Sequence, residues 1–162
     1  MRDLIKMKKI LTSIVVASSF VVAASAMANT AKSLKQAEKA AHTRQAVFGL
    51  LGTNMGPLGA MAKGKMPFDA KAVEKHALRI NQLSLMIADY MSTNTSGFKV
   101  KTEASNDVWT KPELFEKRTE ALVSASADLL KVAKLGNESA TKKAIGEVGK
   151  SCGGCHDDFK VD

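Results

Sequence analysis

The chain is poor in cysteine, in aromatic side chains and in proline, and each shortage narrows what it can be. Its 162 residues hold two cysteines, Cys152 and Cys155, so there is no disulfide framework. The same count rules out a paired-cysteine zinc site, because no second Cys pair exists and His42 and His76 sit at unrelated spacing. One Trp, one Tyr and six Phe stand against plentiful Ala, Leu, Met and Lys, a balance that favours helices. No Lys/Arg cluster is interleaved with aromatics, which argues against nucleic acid as a partner. No strand pattern, internal repeat or low-complexity segment is present.

The first 28 residues read as a leader. Arg2, Lys6, Lys8 and Lys9 make a basic start, an apolar run follows from Ile10 to about Ala24, and Ala26-Met27-Ala28 closes it. The run is short for a membrane span and lacks a stop-transfer flank, so the expectation is a signal peptide over 1–28, export to the periplasm and no membrane contact after cleavage. Four of the 24 Lys+Arg and one of the 16 Asp+Glu leave with it, and the formal charge drops from +8 to +5. Residues 29–162 then form a single domain with enough chain for a real core.

What the chain does have is Cys152-Gly153-Gly154-Cys155-His156, close to its end. A C-x-x-C-H run is the pattern of covalent c-type haem attachment: each thiol adds to a vinyl group and the imidazole takes the iron. On a helix, Cys152, Cys155 and His156 fall within one turn of each other and face one side. Gly149 and Gly153 are expected on that side too, where a flat macrocycle can approach the backbone. A thioredoxin-like redox pair would open a helix inside a βαβ pattern, which is absent, and a disulfide across so short a helical span has poor geometry.

Four helices are legible around this motif. Asn29 or Thr30 is the expected cap of the first, whose stripe runs Leu34, Ala37, Ala41, Arg44, Phe48 and Leu51. Gly52, Gly56, Pro57 and Gly59 predict a kink or a loosened stretch before a turn at Gly64–Pro67. Asp69 caps a second helix to about Met91, with Val73, Ala77, Ile80, Leu83, Ile87 and Tyr90 inward. Residues 92–107 read as a long loop of the functional or pinned kind. Thr110, with Pro112 and Glu113 as a capping box, opens a third helix that stops at Gly136. Asn137 caps the fourth, which carries the haem motif. The expected fold class is all-α, an antiparallel up-down four-helix bundle with covalently bound haem.

Only six residues follow His156, none of them Met, His or Cys, so any further iron ligand has to come from upstream. At this point the chain resembles the cytochromes c′, class II c-type cytochromes. The likeness rests on the last helix (145–160), on Thr43 to Leu51 with Gly59 to Gly64, on Pro67-Phe68-Asp69-Ala70, and on Thr102-Glu103 leading to Trp109. It implies one haem c on Cys152 and Cys155, His156 as axial ligand, and Arg44 and Gln45 as contacts of the propionates. It further implies that Thr102 and Glu103 touch the haem from the loop, that Trp109 lies near its edge, and that two chains pair through their first two helices.

Arg44 supports that reading on its own, since an arginine on an apolar stripe beside Phe48 calls for an anion. Phe48 stands where six-coordinate relatives carry a ligating Met, four residues after the arginine. A phenyl ring has no donor atom, so the iron is expected to be five-coordinate and high-spin, with the ring over its open face. Met55, Met61 and Met66 are nearby, but Met at helical spacing is more often core filler. His42 and His76 read as surface residues. Lys160 replaces the arginine usual in the family. An apolar cover predicts binding of small neutral gases, nitric oxide and carbon monoxide. The alternative is an electron carrier that meets an acidic periplasmic redox protein. A peroxidase is disfavoured, because Phe48 supplies no acid or base.

Overall fold

The computed structural model describes residues 29–161, so the expected leader lies outside the described residues. The elements in order are β1 (Asn29–Thr30), α1 (Leu34–Ala62), α2 (Ala70–Met91), β2 (Thr93–Asn94), α3 (Asp107–Thr110), α4 (Pro112–Ala133) and α5 (Glu138–Phe159). The four long helices pack in a closed ring, α1 on α2, α2 on α4, α4 on α5 and α5 back on α1. That is the expected four-helix bundle.

The helix starts follow from side chains that accept the first free N–H groups. Asp69 accepts from Ala72 N at 3.0 Å and Asn137 from Ala140 N at 2.9 Å, as the sequence predicts. Two caps differ from expectation. Asn29 and Thr30 do not cap α1, because they pair in parallel with Thr93 and Asn94 as β1 and β2. Ser33 caps it instead, accepting from Gln36 N at 3.2 Å, while Gln36 Oε1 accepts from Lys32 N at 2.8 Å. Thr110 does not cap α4, since its hydroxyl donates to Asp107 Oδ1 at 3.1 Å inside α3. Pro112 at the first turn of α4 supplies the right φ without a side-chain cap.

The expected loosening near Pro57 is absent, and α1 continues through it for 29 residues. Leu58 and Met61, both buried just beyond the proline, hold that last stretch against the core. Gly64 and Gly136 end α1 and α4 at φ of 69° and 68°, a conformation that a side chain resists.

The core joins Leu58 and Met61 of α1 to Val73, Ala77, Ile80 and Ile87 of α2, Leu122 and Leu129 of α4, and Ile145 and Val148 of α5. Inward positions depart from the predicted stripes by one residue in two places: in α1 Val47 is buried while Phe48 and Leu34 are exposed, and in α2 Ser84 and Met91 are buried while Tyr90 is exposed. Ser84 Oγ meets Ser126 Oγ at 3.2 Å, which lets α2 and α4 approach with both hydroxyls satisfied. His42 is exposed as expected, but His76 is half-buried with Nδ1 2.9 Å from Asn54 Oδ1. Burial and the neighbouring charges of Lys75 and Arg79 lower its pKa.

Leu129 is 0% exposed and Leu135 is 78% exposed. Leu129→Ala is expected to cost about 2–5 kcal/mol in urea unfolding, whereas Leu135→Ala should change stability by less than about 0.5 kcal/mol.

Candidate functional site

α5 brings the motif to one side of the helix. Cys152, Cys155 and His156 all line an inner cavity of about 210 Å3 whose other walls are mostly apolar, among them Leu51, Ile80, Ile87 and Leu122, with Arg118 and Thr119 of α4 as the polar exceptions. An outer cavity of about 330 Å3 carries the polar groups Arg44, Gln45, Thr102, Glu103 and Lys160. Three residues line both: Phe48 from α1, and Cys155 and His156 from α5. The two cavities form one slot, apolar within and polar at its mouth, in the size range of small-molecule sites.

The chemistry of this slot suits a haem. Its inner walls match a macrocycle, its thiols match two vinyl groups, and its mouth holds a cation. Arg44 is 2% exposed, its Nε is buried without a partner, and among the described residues no carboxylate pairs with it. Its Nη2 donates to Thr93 O at 3.1 Å, its Nη1 reaches Thr95 Oγ1 at 3.5 Å, and the guanidinium lies 5.0 Å from the Trp109 ring centre. Burial lowers its pKa without neutralising it. A buried cation held only by neutral groups is costly, and a haem propionate in the outer cavity would offset it.

The thiols are equally informative. Burial raises both, Cys155 up to about 11, with Cys152 adding to the rise and Arg118 opposing it. Such thiols stay protonated at neutral pH, the reverse of the low-pKa cysteine that a thiol–disulfide catalyst needs. Among the described residues, no cluster of three or more His, Cys, Asp and Glu could hold a metal ion.

Several predicted residues also make contacts within the protein that the sequence does not announce. Gln45 lines the outer cavity, but its Nε2 donates to Lys101 O at 2.9 Å and so ties down the loop after β2. Glu103 also lines that cavity, and its carboxylate is engaged by Lys160 Nζ at 3.2 Å. Backbone bonds from Val161 N to Glu103 O and from Ser105 N to Phe159 O, both 2.8 Å, fasten the same loop to the end of α5. Thr102 Oγ1 accepts from Ala104 N at 3.1 Å. The long loop is thus a strap over the slot, pinned by α1 on one side and α5 on the other. Trp109 lines neither cavity; it stands behind Arg44 and donates from Nε1 to Met91 O at 3.0 Å, satisfying a carbonyl at the end of α2.

Arg118 of α4 has no counterpart among the predicted site residues. Its Nε donates to Asp158 Oδ2 at 2.7 Å, and a Cβ added at Gly154 would sit 3.2 Å from its Nη1. Gly154 is the motif glycine whose missing side chain makes room for a side chain of another helix. Nothing in the sequence links the two, since they meet only when α4 packs on α5. Of the methionines, Met61 is buried with its sulfur accepting from Asp69 N at 3.4 Å, and Met66 lines neither cavity. Met55 lines the inner cavity, with Cε 3.8 Å from a Cβ built on Gly149.

A four-helix bundle with two thiols and an imidazole on its last helix, facing an amphipathic slot, defines a haem protein of the c type. The family model described as Cytochrome C′ matches residues 39–160. The chain is 37% identical over 132 residues to the cytochrome c′ of Halomonas halodenitrificans, covering 77% of this chain and 98% of that one. The structure of cytochrome c prime from Shewanella frigidimarina superposes with a TM-score of 0.72 at 36% identity, covering 78% of this chain and 97% of the other. A ferrous variant of the Alcaligenes xylosoxidans protein with bound nitric oxide matches with a TM-score of 0.70 at 25% identity, covering 78% and 96%. The chain belongs to the cytochrome c′ family, and its cofactor is one covalently bound haem c.

Trp109→Phe keeps the ring but deletes the N–H donor to Met91 O and weakens the face under Arg44. It is expected to lower the free energy of unfolding in urea by about 1–2 kcal/mol.

Proposed function

We propose that the protein is an exported, periplasmic one-haem cytochrome that reversibly binds small neutral gases, nitric oxide foremost, in the space that Phe48 covers. The observation that carries this is the membership of the boundary between the two cavities: one thiol, one imidazole and one phenyl ring. Cys152 and Cys155 hold the haem, and His156 supplies one axial donor. Phe48 faces that compartment from α1 and has no lone pair to offer. When bound, the haem would supply an iron able to take a small ligand and to cycle between two oxidation states.

The chain's own residues set what reaches that position. Phe48 lies in an open wall and is 37% exposed, so the ring can give way to a diatomic. It offers no hydrogen bond to an anion, to water or to a polarised dioxygen, which disfavours all three against neutral nitric oxide and carbon monoxide. It also lacks an acid or base, so no peroxidase step is supported there. Arg44 holds the propionate end, and the strap held by Gln45 and Glu103 covers it. The relative from Alcaligenes xylosoxidans that holds nitric oxide supports the gas assignment. Export is supported by the basic start, the apolar run and the Ala26-Met27-Ala28 site.

Electron transfer is a second reading, favoured by the exposure of Lys160 at the mouth of the outer cavity. An acidic periplasmic protein could exchange electrons through that edge.

Ferric and ferrous absorption spectra should show five-coordinate, high-spin iron in the purified protein. Phe48→Ala should speed carbon monoxide binding at least tenfold in stopped flow, and Phe48→Met should give a six-coordinate, low-spin spectrum. Unchanged binding by Phe48→Ala would mean that the ring is no gate.

We also propose a homodimer through α1 and α2. Leu78 and Leu85, two turns apart on α2, and Leu50 on α1 are exposed, and a second copy would cover them. Leu85→Arg is expected to halve the mass in sedimentation while leaving the haem spectrum unchanged.

A further inference from the structure

The two-residue strand β2 is bonded on both edges. On one edge Asn29 and Thr30 pair with Thr93 and Asn94, and Asn94 O accepts from Ala31 N at 2.9 Å. Successive carbonyls of an extended chain point to opposite edges, so Thr93 O faces the other way. There it accepts from Arg44 Nη2 at 3.1 Å, with Thr95 Oγ1, two residues on, 3.5 Å from Nη1. Ala31 and Thr95 are both buried.

Residues 29–31 contribute nothing to the long helices, since α1 begins at Leu34 and takes its cap from Ser33. Their partner is β2, and β2 with the residue that follows it supplies the guanidinium's two oxygen acceptors among the described residues, Thr93 O from the strand and Thr95 Oγ1 just beyond it. A long arginine side chain has much rotamer freedom to lose, and it holds one orientation only while its acceptors are fixed. Trp109 behind the guanidinium leaves it free to slide along the ring, so the acceptors decide where it points.

We propose that Asn29–Ala31 form a clasp that positions Arg44 for the propionate end of the haem slot. β1 fixes the outer edge of β2, and β2 fixes the guanidinium. These are positioning residues, which never touch the cofactor. The inference rests on the reading of Arg44 as the propionate's partner, and it adds to that reading the element that aims the side chain.

The test uses the full exported holoprotein and reads the haem midpoint potential by spectroelectrochemistry. A guanidinium held against the propionates offsets their negative charge and keeps the potential up, so its release lowers the potential. Ala31→Pro removes the N–H that bonds Asn94 O and is expected to shift the potential downward by an amount approaching that of Arg44→Gln. Ala31→Val, close to proline in size but keeping the N–H, should stay at the wild-type value. Thr30→Gly, which makes the strand harder to order, should shift the potential in the same direction by less. In the double variant Ala31→Pro with Arg44→Gln, the shift should equal that of Arg44→Gln alone. A normal potential in both Ala31→Pro and Thr30→Gly, with a lowered one in Arg44→Gln, overturns the clasp and leaves the role of Arg44 standing. Fully additive shifts in the double variant also overturn it. An unchanged potential in Arg44→Gln overturns both.

Discussion

A buried guanidinium without a carboxylate is the constraint on which the haem end of this molecule turns. Taking a charge out of water costs several kcal/mol unless something nearby replaces the lost solvation. Around Arg44 the replacements are partial: a carbonyl, a distant hydroxyl and an aromatic face, with Nε left unpaired. An anion in the outer cavity, where Arg44 is part of the wall, would supply the remaining compensation. The segment after α2, the ring of Trp109 and the strand at residues 29–30 all serve to hold that one cation facing the slot. The same arrangement explains why a chain read as four helices carries two short strands. They are the smallest structure that can present backbone oxygens on both edges at once.

The bundle was readable because its signals are local. Asp69 and Asn137 announce helix starts within three residues, and the apolar stripes of α1 and α2 repeat at helical spacing. The S-x-x-Q run at Ser33–Gln36 was equally legible as the start of α1, and it outranks Asn29 and Thr30 because those residues are used by β1. Pro57 misleads for the opposite reason. It removes one intrahelical bond, a local cost, while the burial of Leu58 and Met61 beyond it is a tertiary gain that no window of sequence displays.

The site was legible in its identities more than in its wiring. Arg44, Gln45, Phe48, Thr102, Glu103, Cys155 and His156 do come together around one cavity, and Cys152 lines its neighbour. Gln45 and Glu103, however, spend their polar groups on Lys101 O and Lys160 Nζ, contacts 56 or more residues away along the chain. Pairings of that separation depend on how a loop closes, and its length alone says only that it has to be held. Arg118 is the extreme case: its place over Gly154 follows from the packing of α4 on α5 and from nothing in either helix by itself.

Phe48 shows why the bundle and its chemistry can vary separately. Its ring stands outside the buried cluster built by Leu58, Ile80, Leu129 and Val148, so the packing of the helices on one another depends little on it. A side chain of similar bulk at that position would leave the helix packing intact while changing the atom offered to the slot. Cys152, Cys155 and His156, by contrast, are locked to one another by helical spacing, and moving any one of them by a residue would turn it about 100° away from the other two. The covalent anchor is therefore rigid in sequence, and the opposite wall is free to change. On the proposed gas-binding reading, the choice between a vacant and an occupied iron position rests on one residue that the fold scarcely constrains.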